Sequence, residues 1–395
     1  MARSRSDNIS NKKMFIGGGR DYAIDILRCL SCLMVVTSHV FAFFLDENYS
    51  ILVDPGSTQH YVALFFRCLT TSATDIFLMI SGVFFLSPER NMTPRKIWGK
   101  NILKMTTALA LWLILYGMFE TIESKEHFDM ETVIYNVIHH EMNHLWYIPM
   151  MIGVYILVPL FRVFTENAKR FHYHYLFALV AIVSMVDQLY GFNKGYNYNG
   201  AEEINIIINR TPYQYMLSLF VLPIIGYWLY TARTKRSFRC LLYVLGVAGV
   251  VMLLIMEINI YKQSGTLENA EILGKIAAGN FFKCIGIFLF ITTVLDGLRL
   301  KGIARTVIMK LSGATLFIYL SHWMGIMFLL DRKLLLNGFG QSHVVLTAII
   351  YILLIYIAGF FFSVVFLQSI PWIGIRNKIF DAIAPNRTIY VTKKK

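Results

Sequence analysis

Apolar stretches of about 20 residues recur along the chain, separated by short polar segments. That is the length an α-helix needs to cross about 30 Å of hydrocarbon. Ten stretches are predicted as spans: residues 24–45, 62–86, 97–119, 145–164, 172–191, 214–231, 239–258, 278–298, 306–330 and 343–367. In hydrocarbon every backbone polar group needs an internal partner, and a helix supplies it. The expected fold is therefore all-α, a polytopic transmembrane helical bundle. The basic N-terminus followed by an apolar run has the outline of a signal peptide. No small-residue cleavage site follows, however, and the run is long enough to span, so it reads as retained.

Composition agrees with this pattern. Of 395 residues, 56% are hydrophobic and 15% charged, too few charges to solvate a soluble protein of this size. The expected organisation is a basic segment at 1–23, one ten-span membrane domain at 24–367 and a basic tail at 368–395. The net charge of +13 would suit nucleic acid, but its distribution does not. Lys and Arg gather before the first span and in alternate loops, among them Arg90, Arg95, Lys96, Lys169, Arg170, Arg233, Lys235, Arg299 and Lys301. The loop Asp46–His60 has no Lys or Arg, and Glu120–Asn143 has one Lys. Cation-rich loops face the cytoplasm, so both termini are expected inside, in a multi-pass protein of the plasma or inner membrane. The expected outer loop Phe192–Tyr213 carries Lys194 and Arg210, and Arg332 and Lys333, in the outer loop after Leu330, run most against this scheme. The bilayer is then the expected partner, and nucleic acid is not. Five cysteines (Cys29, Cys32, Cys68, Cys240, Cys284) fall in or beside apolar spans, with neither metal-site nor disulfide spacing. Cys29 and Cys32 read as packing residues despite their CxxC spacing.

The informative residues are the ionisable ones inside spans, each costing about 2.5 kcal/mol or more unless paired or hydrated. The first span, "DYAIDILRCLSCLMVVTSHVFAFFL", carries Asp25, Arg28 and His39. Eleven residues of helix leave Arg28 and His39 about 20° from alignment and about 16.5 Å apart in depth. Asp25 is one turn before Arg28 on the same side, where it can neutralise the guanidinium. Arg67 and Asp75 lie in the second expected span, Asn280 and Lys283 in the eighth, Tyr319 and His322 in the ninth. His144, Trp146 and Tyr147 open the fourth; an interfacial aromatic belt accounts for the latter two without any function. His322 and His39 are expected at matching depths, so both imidazoles can face one cavity.

Four segments resemble the acyltransferase-3 family of integral membrane acyltransferases: "DILRCLSCLMVVTSH", "TDIFLMISGVFF", "HLWYIPMMIGVYILVPL" and "LSGATLFIYLSHW". Arg28 and His39 match the family's paired Arg and His. Asp75, Phe77, Ser81 and Gly82 resemble its D-x-F-F-x-x-S-G pattern, with Leu78 at the second aromatic position. His144, Trp146, Tyr155 and Pro159 resemble its fourth block, and Tyr319 with His322 its Tyr-x-x-His. Some members carry a basic residue near the position of Thr71; Arg67 is one turn earlier here. Larger members carry a fused extracytoplasmic domain, and none is expected from these 395 residues.

The resemblance implies transfer of an acyl group, usually acetyl, from cytoplasmic acyl-CoA to a hydroxyl of an envelope glycan or lipid-linked saccharide. Acyl-CoA is then donor substrate, and no bound cofactor or metal is expected. A guanidinium pairs well with phosphate, which suits Arg28, with Asp25, to the CoA end. An imidazole suits proton removal from a hydroxyl, which makes His39 the catalytic candidate. Asp75, Arg67, His144, Trp146, Tyr319 and His322 are candidates for acceptor binding or support. His39 can serve either as base for direct attack or as transient acyl carrier. The long loop Phe192–Tyr213, rich in Tyr, Asn and Gly, is a candidate glycan contact. The rival is a transporter of a lipid-linked sugar or small anion, its charges lining a path. The scattered glycines and prolines and the lack of an internal repeat weigh against it. A non-catalytic sensor leaves the Arg28–His39 alignment unused.

Overall fold

The structure, a computed structural model, describes residues 20–45, 53, 56–88, 90, 92–123, 131, 134–135, 144–196, 219–232, 234–264, 277–332 and 342–367. The basic segment at 1–19, the tail 368–395 and most of the loops Asp46–His60, Glu120–Asn143 and Phe192–Tyr213 lie outside these residues. Among the described residues the chain is helical and has no strand, as expected. The main helices are α1 (Tyr22–Leu45), α2 (Thr58–Thr70), α3 (Ala73–Phe85), α4 (Leu103–Glu123), α5 (Tyr147–Asn167), α6 (Arg170–Tyr196), α7 (Leu222–Thr231), α8 (Arg236–Ser264), α9 (Ala278–Val294), α10 (Gly302–Asp331) and α11 (Val344–Phe362). Among the described residues, seven stretches are long and apolar enough to cross a membrane: Tyr22–Leu45, Thr58–Phe85, Pro94–Ile122, Tyr147–Asn167, Arg236–Asn259, Gly302–Leu330 and Val344–Val365. Two shorter apolar helices, Arg170–Val186 and Ala278–Val294, accompany them.

Contacts divide the chain into two units. The first comprises residues 1–90 and 161–359, the second 91–160 and 360–395. In the first, α1 packs against α10, α2, α3 and α9. Asp21 starts α1: its carboxylate accepts from the backbone N–H groups of Ala23 (2.9 Å) and Ile24 (3.3 Å), satisfying donors that a helix start leaves open. Tyr230 of α7 donates its hydroxyl to the same carboxylate.

The second expected span differs from a single helix. It is broken after Thr70 into α2 and α3. The sequence "TTSATD" explains the break, because hydroxyl side chains there compete for backbone carbonyls. Thr70 Oγ1 donates to Phe66 O at 2.8 Å and Thr71 Oγ1 to Cys68 O at 3.2 Å.

Small residues set the helix spacing. A Cβ on Gly82 of α3 would lie 1.8 Å from Pro223 O of α7, and one on Gly249 of α8 would lie 2.5 Å from Gly279 O of α9. These backbones touch because no side chain intervenes, the usual device of membrane helix pairs. On another face of α8, Val244, Val247, Val251 and Ile255 are exposed at three- and four-residue spacing, an apolar stripe that suits lipid. One helix thus shows a small-residue face to its neighbour and a β-branched face outward.

Candidate active site

Two polar groupings lie along α1. At its N-terminal end Arg20 forks onto Asp25, with Nε on one carboxylate oxygen and Nη2 3.1 Å from the other. Ser312 of α10 donates to Asp25 Oδ1 at 2.7 Å, and Arg28 Nη1 donates to Ser312 Oγ at 3.2 Å. Arg28 is itself 3.9 Å from the carboxylate, so the expected Asp25–Arg28 pairing runs chiefly through the serine. Across from α1, Arg28 lies 4.9 Å from the centre of the Phe84 ring, within cation–π range.

Further along the same face, the His39 ring centre lies 5.0 Å from that of His322 and 5.5 Å from that of Trp323. Trp323 in turn packs at 4.6 Å against Phe43, one turn beyond His39. His322 is fully buried and His39 half-buried. His322 Nδ1 contacts Tyr319 O. A carbonyl only accepts, so that nitrogen carries the hydrogen and Nε2 is the acceptor nitrogen of the neutral ring. The Tyr319 ring lies 5.7 Å from that of His322. Sequence reasoning matched the two histidines in depth, and the structure brings them together.

The reason is the register of α1 and α10. Arg28 meets Ser312, Cys32 Sγ lies 3.5 Å from Thr315 O, and His39 meets His322. Rising numbers on one helix pair with rising numbers on the other, so the two run parallel.

A separate buried cluster surrounds the α2–α3 break. Arg67 Nη1 lies 3.1 Å from Glu257 Oε2, both nearly inaccessible to solvent. Lys283 of α9 donates to Cys68 O and, at 2.7 Å, to Thr71 Oγ1, and Asn280 Oδ1 lies 3.0 Å from Thr71 Oγ1. Gln188 accepts from Gly279 N at 3.0 Å. Asp75, buried in the first turn of α3, and Glu257 both act electrostatically on Lys283. Lys283 thus brings a basic group to Thr71 from another helix. Next to Arg67, Phe66 stacks on Phe41 of α1 at 5.2 Å.

His144 and Trp146 belong to the second unit. His144 is buried there, its ring 4.6 Å from that of Tyr116, and Trp146 meets Tyr147 edge-on at 6.5 Å.

Sequence reading passed over Ser312, Phe84, Trp323 and Glu257. Glu257 had a signal, an acid inside the apolar run "VVMLLIMEINI". Ser312 and Phe84 had none, because a serine or phenylalanine in a membrane helix is ordinary.

The family model described as an acyltransferase domain matches residues 21–368, from the Asp21 cap of α1 to just beyond the described end of α11. Neither a curated protein nor a solved structure matches the chain. The match covers both groupings on α1 and every helix named above, so the chain belongs to the acyltransferase-3 family and is a membrane acyltransferase.

Proposed function

We propose that the chain moves an acyl group, acetyl in the first instance, from cytoplasmic acyl-CoA to a hydroxyl of an envelope glycan or lipid-linked sugar. The observation that carries this reading is the single face of α1 that holds Arg28 at one end and His39, against His322, about 16.5 Å further on. That separation is on the scale of an extended pantetheine arm. CoA phosphates bind at the cationic end, Arg28 serving with Asp25 and Ser312 as its support. The thioester reaches toward His39, and the acceptor hydroxyl arrives from the opposite side.

In direct transfer, His39 takes the hydroxyl proton as the oxygen attacks the thioester carbonyl. The C–S bond then breaks, and the departing CoA thiolate takes the proton from the imidazolium. In the relay route a His39 nitrogen attacks the thioester carbonyl and CoA thiolate leaves; the acceptor oxygen then displaces the imidazole, which takes the hydroxyl proton. His322 orients His39 or receives the acceptor hydroxyl, with Tyr319 behind it. Asp75 and Arg67 support the frame around the break. Neither the fold nor the family match supports the rival transporter.

Membranes holding the chain, given labelled acetyl-CoA and a lipid-linked glycan, should move label into the glycan. His39→Ala at equal abundance should cut that transfer by about 10²- to 10⁴-fold. Undiminished transfer would sink the mechanism. Glycan movement with no acyl product in the wild type would favour transport instead.

A further inference from the structure

The segment after α3 brings a second guanidinium to the cationic end of α1. Arg90 lies with its guanidinium carbon 4.5 Å from the centre of the Phe84 ring, the ring that Arg28 approaches at 4.9 Å. The two carbons are therefore separated by no more than the sum of those distances. The segment that carries Arg90 is held from α5: Arg162 Nη1 donates to Phe85 O (3.3 Å), Ser87 O (3.1 Å) and Arg90 O (2.9 Å). Three carbonyls on one guanidinium fix the turn, and with it the direction from which Arg90 reaches Phe84. Ser87 Oγ is buried beside these bonds and has no hydrogen-bond partner among the described residues.

Like charges at this range repel. Burial, and after it the neighbouring Arg28, lowers the pKa of Arg90. Asp25 at this end is held by Arg20 and Ser312 and lies 3.9 Å from Arg28. A polyanion between the two guanidiniums would relieve the repulsion and match their forked donors.

We propose that Arg28 and Arg90 form a two-guanidinium clip, spaced by Phe84, that grips the phosphoryl groups of the acyl-CoA donor. This rests on the donor reading above and adds to it a residue that no sequence motif marks. A phosphate clip of this kind also suits an anionic lipid headgroup, so the test separates the two.

The full chain in nanodiscs of phosphatidylcholine, with and without phosphatidylglycerol, is titrated with CoA and with 3′,5′-ADP, with thermal shift and binding isotherms as readouts. Arg90→Ala should weaken CoA and 3′,5′-ADP binding by about tenfold or more, with Arg90→Lys intermediate. Its unliganded unfolding temperature should fall only slightly, because the bonds from Arg162 to the Arg90 backbone remain while the ring contact with Phe84 goes. Acyl transfer by Arg90→Ala should show a raised KM for the donor and an unchanged kcat. Unchanged CoA affinity in Arg90→Ala would overturn the clip and leave the donor reading standing. Wild-type protein that binds no CoA would overturn both. Phosphatidylglycerol stabilisation that depends on Arg90 and that CoA does not compete away would assign the clip to lipid and overturn the proposal.

Discussion

The ring of His39 lies 5.0 Å from the ring of His322, on two helices that run parallel and meet again at Arg28 and Ser312. A half-buried imidazole backed by a buried one is a defined chemical unit, since the Tyr319 carbonyl fixes which nitrogen of His322 carries hydrogen. His322→Gln is expected to lower acyl transfer by on the order of 10²-fold through misplacement of the reacting groups, less than the loss in His39→Ala. Steady-state rates at matched protein abundance check this. A wild-type rate in His322→Gln would detach His322 from the site.

Ser312 couples Asp25 to Arg28. Ser312→Ala should let the Arg28 guanidinium wander, and hydrogen bonds to charged groups contribute about 1.5–3 kcal/mol. The KM for acetyl-CoA should rise by about tenfold or more while kcat holds. A fall in kcat at unchanged KM would show that Ser312 serves the chemical step.

The Arg67–Glu257 pair is buried on both sides. Removing one partner strands a charge, so Arg67→Ala and Glu257→Ala should each destabilise the protein by about 3–5 kcal/mol. The double variant Arg67→Met with Glu257→Leu should cost less than the two single losses combined. Thermal unfolding in one detergent measures all three. Strictly additive losses would mean that the two side chains do not act as a pair.

Gly249 and Gly279 bring α8 and α9 into backbone contact. Gly249→Ala should cost about 1–3 kcal/mol as the helices are pushed apart, and Gly249→Leu should remove folded protein. Val247→Leu, on the outward face of the same helix, should be neutral. Equal tolerance at both positions would place the α8–α9 contact elsewhere.

The helical class and the polar face of α1 were legible in the sequence, because spans are written in hydropathy and Arg28–His39 alignment follows from helix geometry alone. The partnership of His39 with His322 was legible only as matched depth. Which helix packs beside which depends on shape, here on Gly82 against Pro223 and Gly249 against Gly279, and no single-residue property announces it. The break between α2 and α3 was hidden for another reason. Thr70, Thr71 and Ser72 are compatible with a membrane helix, and the disruption comes from hydroxyls bonding local carbonyls. Lys283 was visible as a buried cation, but its arrival at Thr71 from α9 depends on the tertiary packing of α9 against α3.

The central claim is a division of labour along α1, with donor binding at Arg28 and chemistry at His39. Steady-state kinetics of the purified, reconstituted chain with acetyl-CoA varied at saturating acceptor test it most directly. Arg28→Ala should raise the KM for acetyl-CoA by about tenfold or more with kcat little changed, and His39→Ala should lower kcat by about 10²- to 10⁴-fold with KM little changed. A kcat in His39→Ala within about twofold of the wild type, read against that range, would contradict the account.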